Sequence, residues 1–293
     1  MEELKIDVYK GIKKLELLTK ELVSTGISGS YRSVFRGQGL EFEQYRNYTP
    51  SDDSRLIDWK ASKRTGTTLM KQWTEERNLT AYFLLDVSSS MVFGSIKKLK
   101  NEYAAEFVGS LAYAMMDVGD SVGIGMFNDG IIKHIPPSRS KHQFYGILKS
   151  LSNPLFYGGG YNLASALKST INLLDKGSVV FIVSDFINLT DEWQKNLEIA
   201  SSKFDVSGIM IRDPLDRGLP EDSHQVIIEH PISEDQMLVV PDDIGERYEE
   251  YVQQQERMIK SAFLSRNCEF INLSSDKPFI EELIKFFKKK RKI

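Results

Sequence analysis

The sequence predicts an α/β protein, a doubly wound and mostly parallel sheet with a small N-terminal strand-rich attachment. Three observations carry this. From residue 79 onward, short apolar runs alternate with helix-spaced apolar patterns, the order expected of parallel strands joined by crossover helices. Two of those runs, YFLL at 82–85 and VVFIV at 179–183, are apolar at every position, as in strands buried on both faces. Before residue 79 the pattern is less regular, with Leu40, Phe42, Tyr45 and Tyr48 ahead of the polar turn TPSDDSR and Thr68, Met70, Gln72 and Trp73 after it.

In chain order, residues 1–30 form a first segment. Leu4, Val8, Ile12, Leu15, Leu18 and Leu22 recur at steps of three and four, which places them on one face of a docking helix, and Gly26, Ser28, Gly29 and Ser30 then mark a loop. Residues 31–78 make the strand-rich attachment, and residues 79–293 the main domain. Its expected strands are Ala81–Leu85, Ser121–Phe127, Ile131–Ile135, Val179–Val183, Val206–Ile211 and Glu269–Leu273. Its expected helices are Lys97–Asp117, Lys141–Leu151, Leu163–Leu174, Glu192–Ser202, Gly245–Leu264 and Lys277–Lys288, and HQVIIEH with QMLVV reads as an added hairpin.

Bulk properties narrow the function classes. A chain of 293 residues with 41% hydrophobic and 27% charged residues buries a substantial core. A net charge of −3 supplies no general attraction for nucleic acid. One cysteine, Cys268, makes no internal disulfide, and four scattered histidines make no zinc-type cluster, so a reducing compartment is expected. No apolar run approaches the roughly 20 residues that span a bilayer, and the opening MEELKIDVYK is charged where a signal peptide is apolar. A cytoplasmic protein without a membrane span is the expectation. The basic tail KFFKKKRKI suits a solvated helix end, and it can also make peripheral contact with anionic lipid.

Chemistry concentrates at DVSSS, residues 86–90. In a doubly wound sheet ligands bind at the carboxyl ends of the strands, and Asp86 starts the loop after one of them. Asp86, Ser88 and Ser90 are hard oxygen donors of the type Mg²⁺ or Mn²⁺ prefers. Asp and Ser are equally the residues that cap turns and helix starts, so the stretch alone leaves both readings open. VVFIVSDF ends a second buried strand with Ser184 and Asp185, near enough in such a sheet to share an ion with Asp86, and YGGGYNLASAL, residues 157–167, adds a glycine turn leading into a helix.

DxSxS after the first strand, a Gly-Gly turn before a helix and an apolar strand ending in SD resemble a von Willebrand factor A domain with its metal-ion-dependent adhesion site, over roughly residues 79–293. The resemblance implies Mg²⁺ or Mn²⁺ held by Asp86, Ser88, Ser90 and Asp185. Where that family has a threonine this chain has Tyr161, whose phenol reaches farther from the backbone, and Asn162 is a candidate substitute. Upstream, RGQGLEFEQYRNYTPSDDSRLIDWKASKR resembles the signature of the domain of unknown function 58 family, through Gly37, Gly39, Glu41, Phe42, Arg46, Tyr48, Asp52, Asp53, Arg55, Ile57, Asp58 and Trp59; RDPLDRGLP, residues 212–220, is similar to that family as well. This second resemblance implies a soluble form acting with a MoxR-type AAA+ ATPase on client proteins, and because no general base or stabiliser of developing charge can be placed, a non-enzymatic, metal-site-containing protein-binding adaptor is expected. The alternative is a metal-dependent hydrolase using Asp86 and Asp185. Asp52, Asp53 and Asp58 can also be read as a catalytic carboxylate cluster, but with Arg46, Arg55, Lys60 and Arg64 close in sequence, structural charge pairing is the simpler account, with Trp59 as a packing anchor.

Overall fold

The computed structural model describes residues 38–49, 52–76, 79–220, 226–229 and 236–290; the expected helix at 3–24, the glycine-rich loop expected after it and the last three residues of the basic tail lie outside them. The chain divides into two compact units, Phe35–Leu79 and a larger one that includes everything from Thr80 onward.

In the small unit β1 (Gln38–Asn47) pairs antiparallel with β2 (Leu69–Glu76), and between them lie a 3-10 turn at Ser54–Leu56 and helix α1 (Trp59–Thr65). The acidic residues are structural, as the charge-pairing reading expects. Arg46 grips Asp52 through two hydrogen bonds of 2.8 and 2.6 Å, and with Thr49 it holds that carboxyl well below the usual range. Asp53 pairs with Arg55, which is too exposed for the pair to contribute much stability. Asp58 caps α1, accepting from the backbone of Lys60 (3.0 Å) and Ala61 (3.1 Å), and also accepts from the Tyr45 hydroxyl at 3.0 Å. Trp59 departs from expectation: it stands at the first position of α1 with 70% of its surface exposed. Ser62 instead ties the helix to β2, accepting from the Leu69 N–H at 2.8 Å.

All six expected strands form in the larger unit. They are β3 (Thr80–Asp86), β4 (Ser121–Phe127), β5 (Ile131–Ser138), β6 (Val179–Ser184), β7 (Asp205–Arg212) and, after the hairpin β8 (Val226–Glu229) and β9 (Gln236–Val239), β10 (Glu269–Ser274). The sheet order is β10-β7-β6-β3-β4-β5, parallel except for β5. That last strand runs on through Pro136 and Pro137, past its expected end at Ile135. It lies at the sheet edge, where a missing N–H breaks no ladder on the open side. The helices are α2 (Lys100–Asp117), α3 (Lys141–Leu151), α4 (Leu163–Leu173), α5 (Trp193–Lys203), α6 (Pro241–Leu264) and α7 (Ile280–Lys290). α2 starts three residues later than expected and α6 four earlier, with Pro241 at its first position, where proline's missing N–H is harmless. Among the described residues no helix is long and apolar enough to cross a membrane.

Alternation along β3 assigns its side chains to two cores. Tyr82 and Leu84 join Val180 and Ile182 beneath Leu163 and Leu167 of α4, Trp193 and Leu197 of α5 and Phe263 of α6. Phe83 points the other way and stacks on Phe181, with ring centroids 5.3 Å apart. Burying each such ring contributes about 1.5–3 kcal/mol, which explains why these strands are apolar throughout. With β4 on one side of β3 and β6 on the other, the connections diverge at the carboxyl ends of β3 and β6. This is the topological switch point of the sheet.

Two substitutions test this account. A Cβ at Gly123 would lie 2.7 Å from both Ile135 O and Pro137 N, backbone atoms that cannot swing aside, so Gly123→Ala should lower stability by about 1–3 kcal/mol in urea unfolding. Asp58→Ala removes a helix cap and a tyrosine bond together and should lower the stability of the small unit by about 1–2 kcal/mol, whereas Arg55→Ala should change it little.

Candidate functional site

Asp86 is the last residue of β3 and is wholly buried, so its carboxylate must be satisfied by its own loop and by the neighbouring strand. Oδ1 accepts the Ser88 N–H at 2.9 Å, an Asx turn that folds the chain over the strand end, and Oδ2 accepts the Ser184 hydroxyl at 2.7 Å. The Oγ atoms of Ser88 and Ser90 lie 3.1 Å apart. Ser89 faces the glycine turn: its N–H donates to Gly159 O and its Oγ accepts the Gly159 N–H, both at 3.0 Å. Gly159 has φ +90° and a Cβ there would meet Asn128 Nδ2 at 2.7 Å, so no other residue fits this turn without strain.

Asp185 follows β6 and is equally buried. Its Oδ1 accepts the Ile187 N–H at 3.0 Å, and its Oδ2 accepts from Lys100 Nζ at 2.8 Å. Lys100, the first residue of α2, is 1% exposed; its ammonium also donates to Asp216 at 2.9 and 3.2 Å, and the ring of Phe93 lies 5.6 Å from it. A cation at a helix N-terminus opposes the helix dipole by about 0.3–1 kcal/mol, and burying an ammonium costs several kcal/mol more. Two carboxylates at hydrogen-bond distance offset this. Asp216 lies in the 3-10 turn Pro214–Asp216, beside Asp213, which receives the Ser95 N–H at 2.9 Å and the Ser95 hydroxyl at 2.5 Å. The β3–α2 loop is thereby fastened to the ends of β6 and β7 as well as to the glycine turn.

Burial, then the charge of Asp185, push the Asp86 carboxyl up to about 7, against the hydrogen bonds from Ser184 and Ser88. Burial likewise raises the Tyr161 phenol, with the charge of Asp86 adding to it. For Lys100 burial acts downward, and the charges of Asp185 and Asp216 outweigh it, leaving the ammonium raised.

The six residues singled out from sequence fare differently. Asp86, Ser88 and Ser90 come together with Asp185 across the switch point. Tyr161 turns inward: it is 9% exposed, its ring lies against Phe127 and its hydroxyl is 3.3 Å from Ser184 Oγ. Asn162 is spent as the cap of α4, accepting the Ser165 N–H at 2.9 Å. Sequence reasoning missed Lys100, Ser95, Asp213 and Asp216; the last two fall in the stretch RDPLDRGLP, while Lys100 is one lysine of several in SIKKLK. Both Asp185 oxygens accept hydrogen bonds, one of them from the Lys100 ammonium, so a divalent ion shared by Asp86 and Asp185 would have to sit beside a buried cation. That resident charge, and not a shortage of oxygen donors, is what fits poorly with the divalent site that the resemblance implies.

The raised carboxyl sets a pH dependence. Its folded-state value near 7 lies above the unfolded value of about 3.9, so the stability it contributes is full below the unfolded value and is lost as pH rises through about 7. Asp86→Asn, isosteric and uncharged, should flatten the fall in melting temperature between pH 5 and pH 8 measured by scanning calorimetry.

Residues 44–258 match the family model described as Protein of unknown function DUF58. Uncharacterized proteins of Mycobacterium tuberculosis and Mycobacterium bovis are 24% identical over 212 residues, covering 72% of this chain and 67% of theirs. Among solved structures, the conserved hypothetical protein BatB of Bacteroides thetaiotaomicron aligns at 15% identity and TM-score 0.47, over 73% of this chain and all of that one. A von Willebrand factor type A protein of Catenulispora acidiphila aligns at 12% identity and TM-score 0.40, over 76% of this chain and 44% of that one. The family model spans most of the chain, from residue 44 in β1 to residue 258 in α6, which takes in the switch-point loops, and the protein belongs to the DUF58 family.

Proposed function

We propose that this protein is a protein-binding module with no catalysis of its own, an adaptor that works with a MoxR-type AAA+ ATPase in assembling or activating client proteins. One observation carries the binding role: the switch-point loops expose Val92, Phe93, Ile96 and, at 88% of its surface, Leu155, while Asp86 and Asp185 beneath them are buried and hydrogen-bonded. Apolar side chains held out on ordered loops favour contact with another protein surface. The hydrolase alternative needs a general base within reach of a water or substrate proton. Asp86 and Asp185 are both wholly buried, and their oxygens are already bonded to Ser88, Ser184, Ile187 and Lys100. The small unit offers a second candidate surface in Trp59, Leu56 and Tyr45, all exposed. The choice of an AAA+ partner rests on the family resemblance.

Binding to client proteins recovered with a MoxR-type ATPase should weaken about tenfold or more for Leu155→Asp or Ile96→Asp, with unchanged melting temperatures, while binding to the purified ATPase should not. Trp59→Ala should affect a different partner from those two. Turnover of a phosphate ester, peptide or nucleotide that disappears in Asp86→Ala would instead establish the hydrolase reading.

A further inference from the structure

From the geometry around Asp185 we infer that the Lys100 ammonium is the resident cation of this site, occupying the role for which a related fold would recruit a divalent metal. A lysine ammonium has three protons to donate. Here it makes three contacts, one to Asp185 Oδ2 and two to Asp216, and the ring of Phe93 stands over it. The cation is enclosed by its partners and is 1% exposed, so it presents no open coordination position to solvent or to a partner protein.

Its position on the chain makes this a built feature. Lys97 and Lys98, a turn earlier, reach solvent or Glu106, whereas Lys100 opens α2 pointing back beneath the loop, with its backbone N–H donating to Phe93 O at 2.8 Å. A second buried cation lies nearby. Arg212 ends β7 with 2% exposure and has Nε 3.6 Å from Glu256. With an ammonium already on Asp185, a divalent ion shared by Asp86 and Asp185 would meet positive charge on the Asp185 side.

A lysine differs from a metal in what it permits. A metal with an incomplete shell lets a partner's carboxylate enter as a ligand; a sheathed ammonium does not. Recognition at this face then runs through the apolar loop residues and is indifferent to chelators. This inference concerns which cation the site holds, and it stands apart from the choice of protein partner.

The test uses the metal alone and no partner. Wild-type protein is titrated with Mn²⁺, followed by the loss of the free-Mn²⁺ electron paramagnetic resonance signal, and melted with millimolar Mg²⁺ or with EDTA. The expected result is no Mn²⁺ bound at millimolar concentration and the same melting temperature in both. Lys100→Met should melt about 10 °C lower, because it leaves two buried carboxylates unpaired, whereas the exposed Lys97→Met should not. One equivalent of Mn²⁺ bound to wild type and lost in Asp86→Asn would overturn the inference, as would a Lys100→Met protein with the wild-type melting temperature. If Lys100→Met does not fold, the Mn²⁺ titration of wild type decides alone.

Discussion

The buried contact of Lys100 with Asp185 and Asp216 is the constraint on which the functional face depends. It joins the start of α2, the loop after β6 and the turn after β7, segments 85 and 116 residues away from the lysine in sequence, at a point from which water is excluded. Such a group of charges is weak evidence for net stability, since the desolvation of each member offsets much of the attraction. Its effect is on uniqueness of arrangement. Any displacement of one loop leaves an uncompensated charge in an apolar surrounding, so the three segments are held to one relative position.

How this came to be half legible from sequence follows from the ranges of the interactions. The strands were readable because their burial on both faces imposes an unbroken apolar run, and the helices because one face repeats; both signals lie within a few residues of each other. Asp86, Ser88 and Ser90 were readable for the same reason, since the turn that gathers them spans five positions. Lys100 carries no local signal: it sits in a lysine-rich stretch, and only the folded sheet brings Asp185 and Asp216 to it. Tyr161 was identified as the anomalous position, but not its inward direction, which depends on the room beside Phe127 and Ser184. Trp59 misled because aromatic residues usually supply packing area, and here the tie between helix and strand is made by a serine hydroxyl instead.

The small unit obeys the same logic on a smaller scale. Its carboxylates are spent on geometry: Asp52 on Arg46 and the Thr49 turn, Asp58 on the first turn of α1 and on Tyr45. A signature so rich in Asp and Arg invites a catalytic reading, yet each of these acids has its lone pairs directed at a donor in its own unit. Among the residues the unit leaves outward, beside charged ones such as Arg55, Lys60 and Lys63, are the aromatic and apolar Trp59, Tyr45 and Leu56.

Rigidity connects the buried charges to binding. The β3–α2 loop is fastened to the glycine turn through Ser89 and Gly159, to the end of β7 through Ser95 and Asp213, and at its close by Lys100. Association costs free energy wherever a side chain or loop must be ordered on contact, about 0.5–1.5 kcal/mol for each flexible side chain immobilised. On this face most of the backbone ordering is already complete before a partner arrives, so exposed residues such as Leu155 and Ile96 can contribute their buried area to affinity with little of it offset. An enzyme built on the same loops would need the opposite arrangement, with at least one carboxylate released from its donors and open to substrate. The hydrogen bonds that make the face rigid are the ones that withhold Asp86 and Asp185 from chemistry.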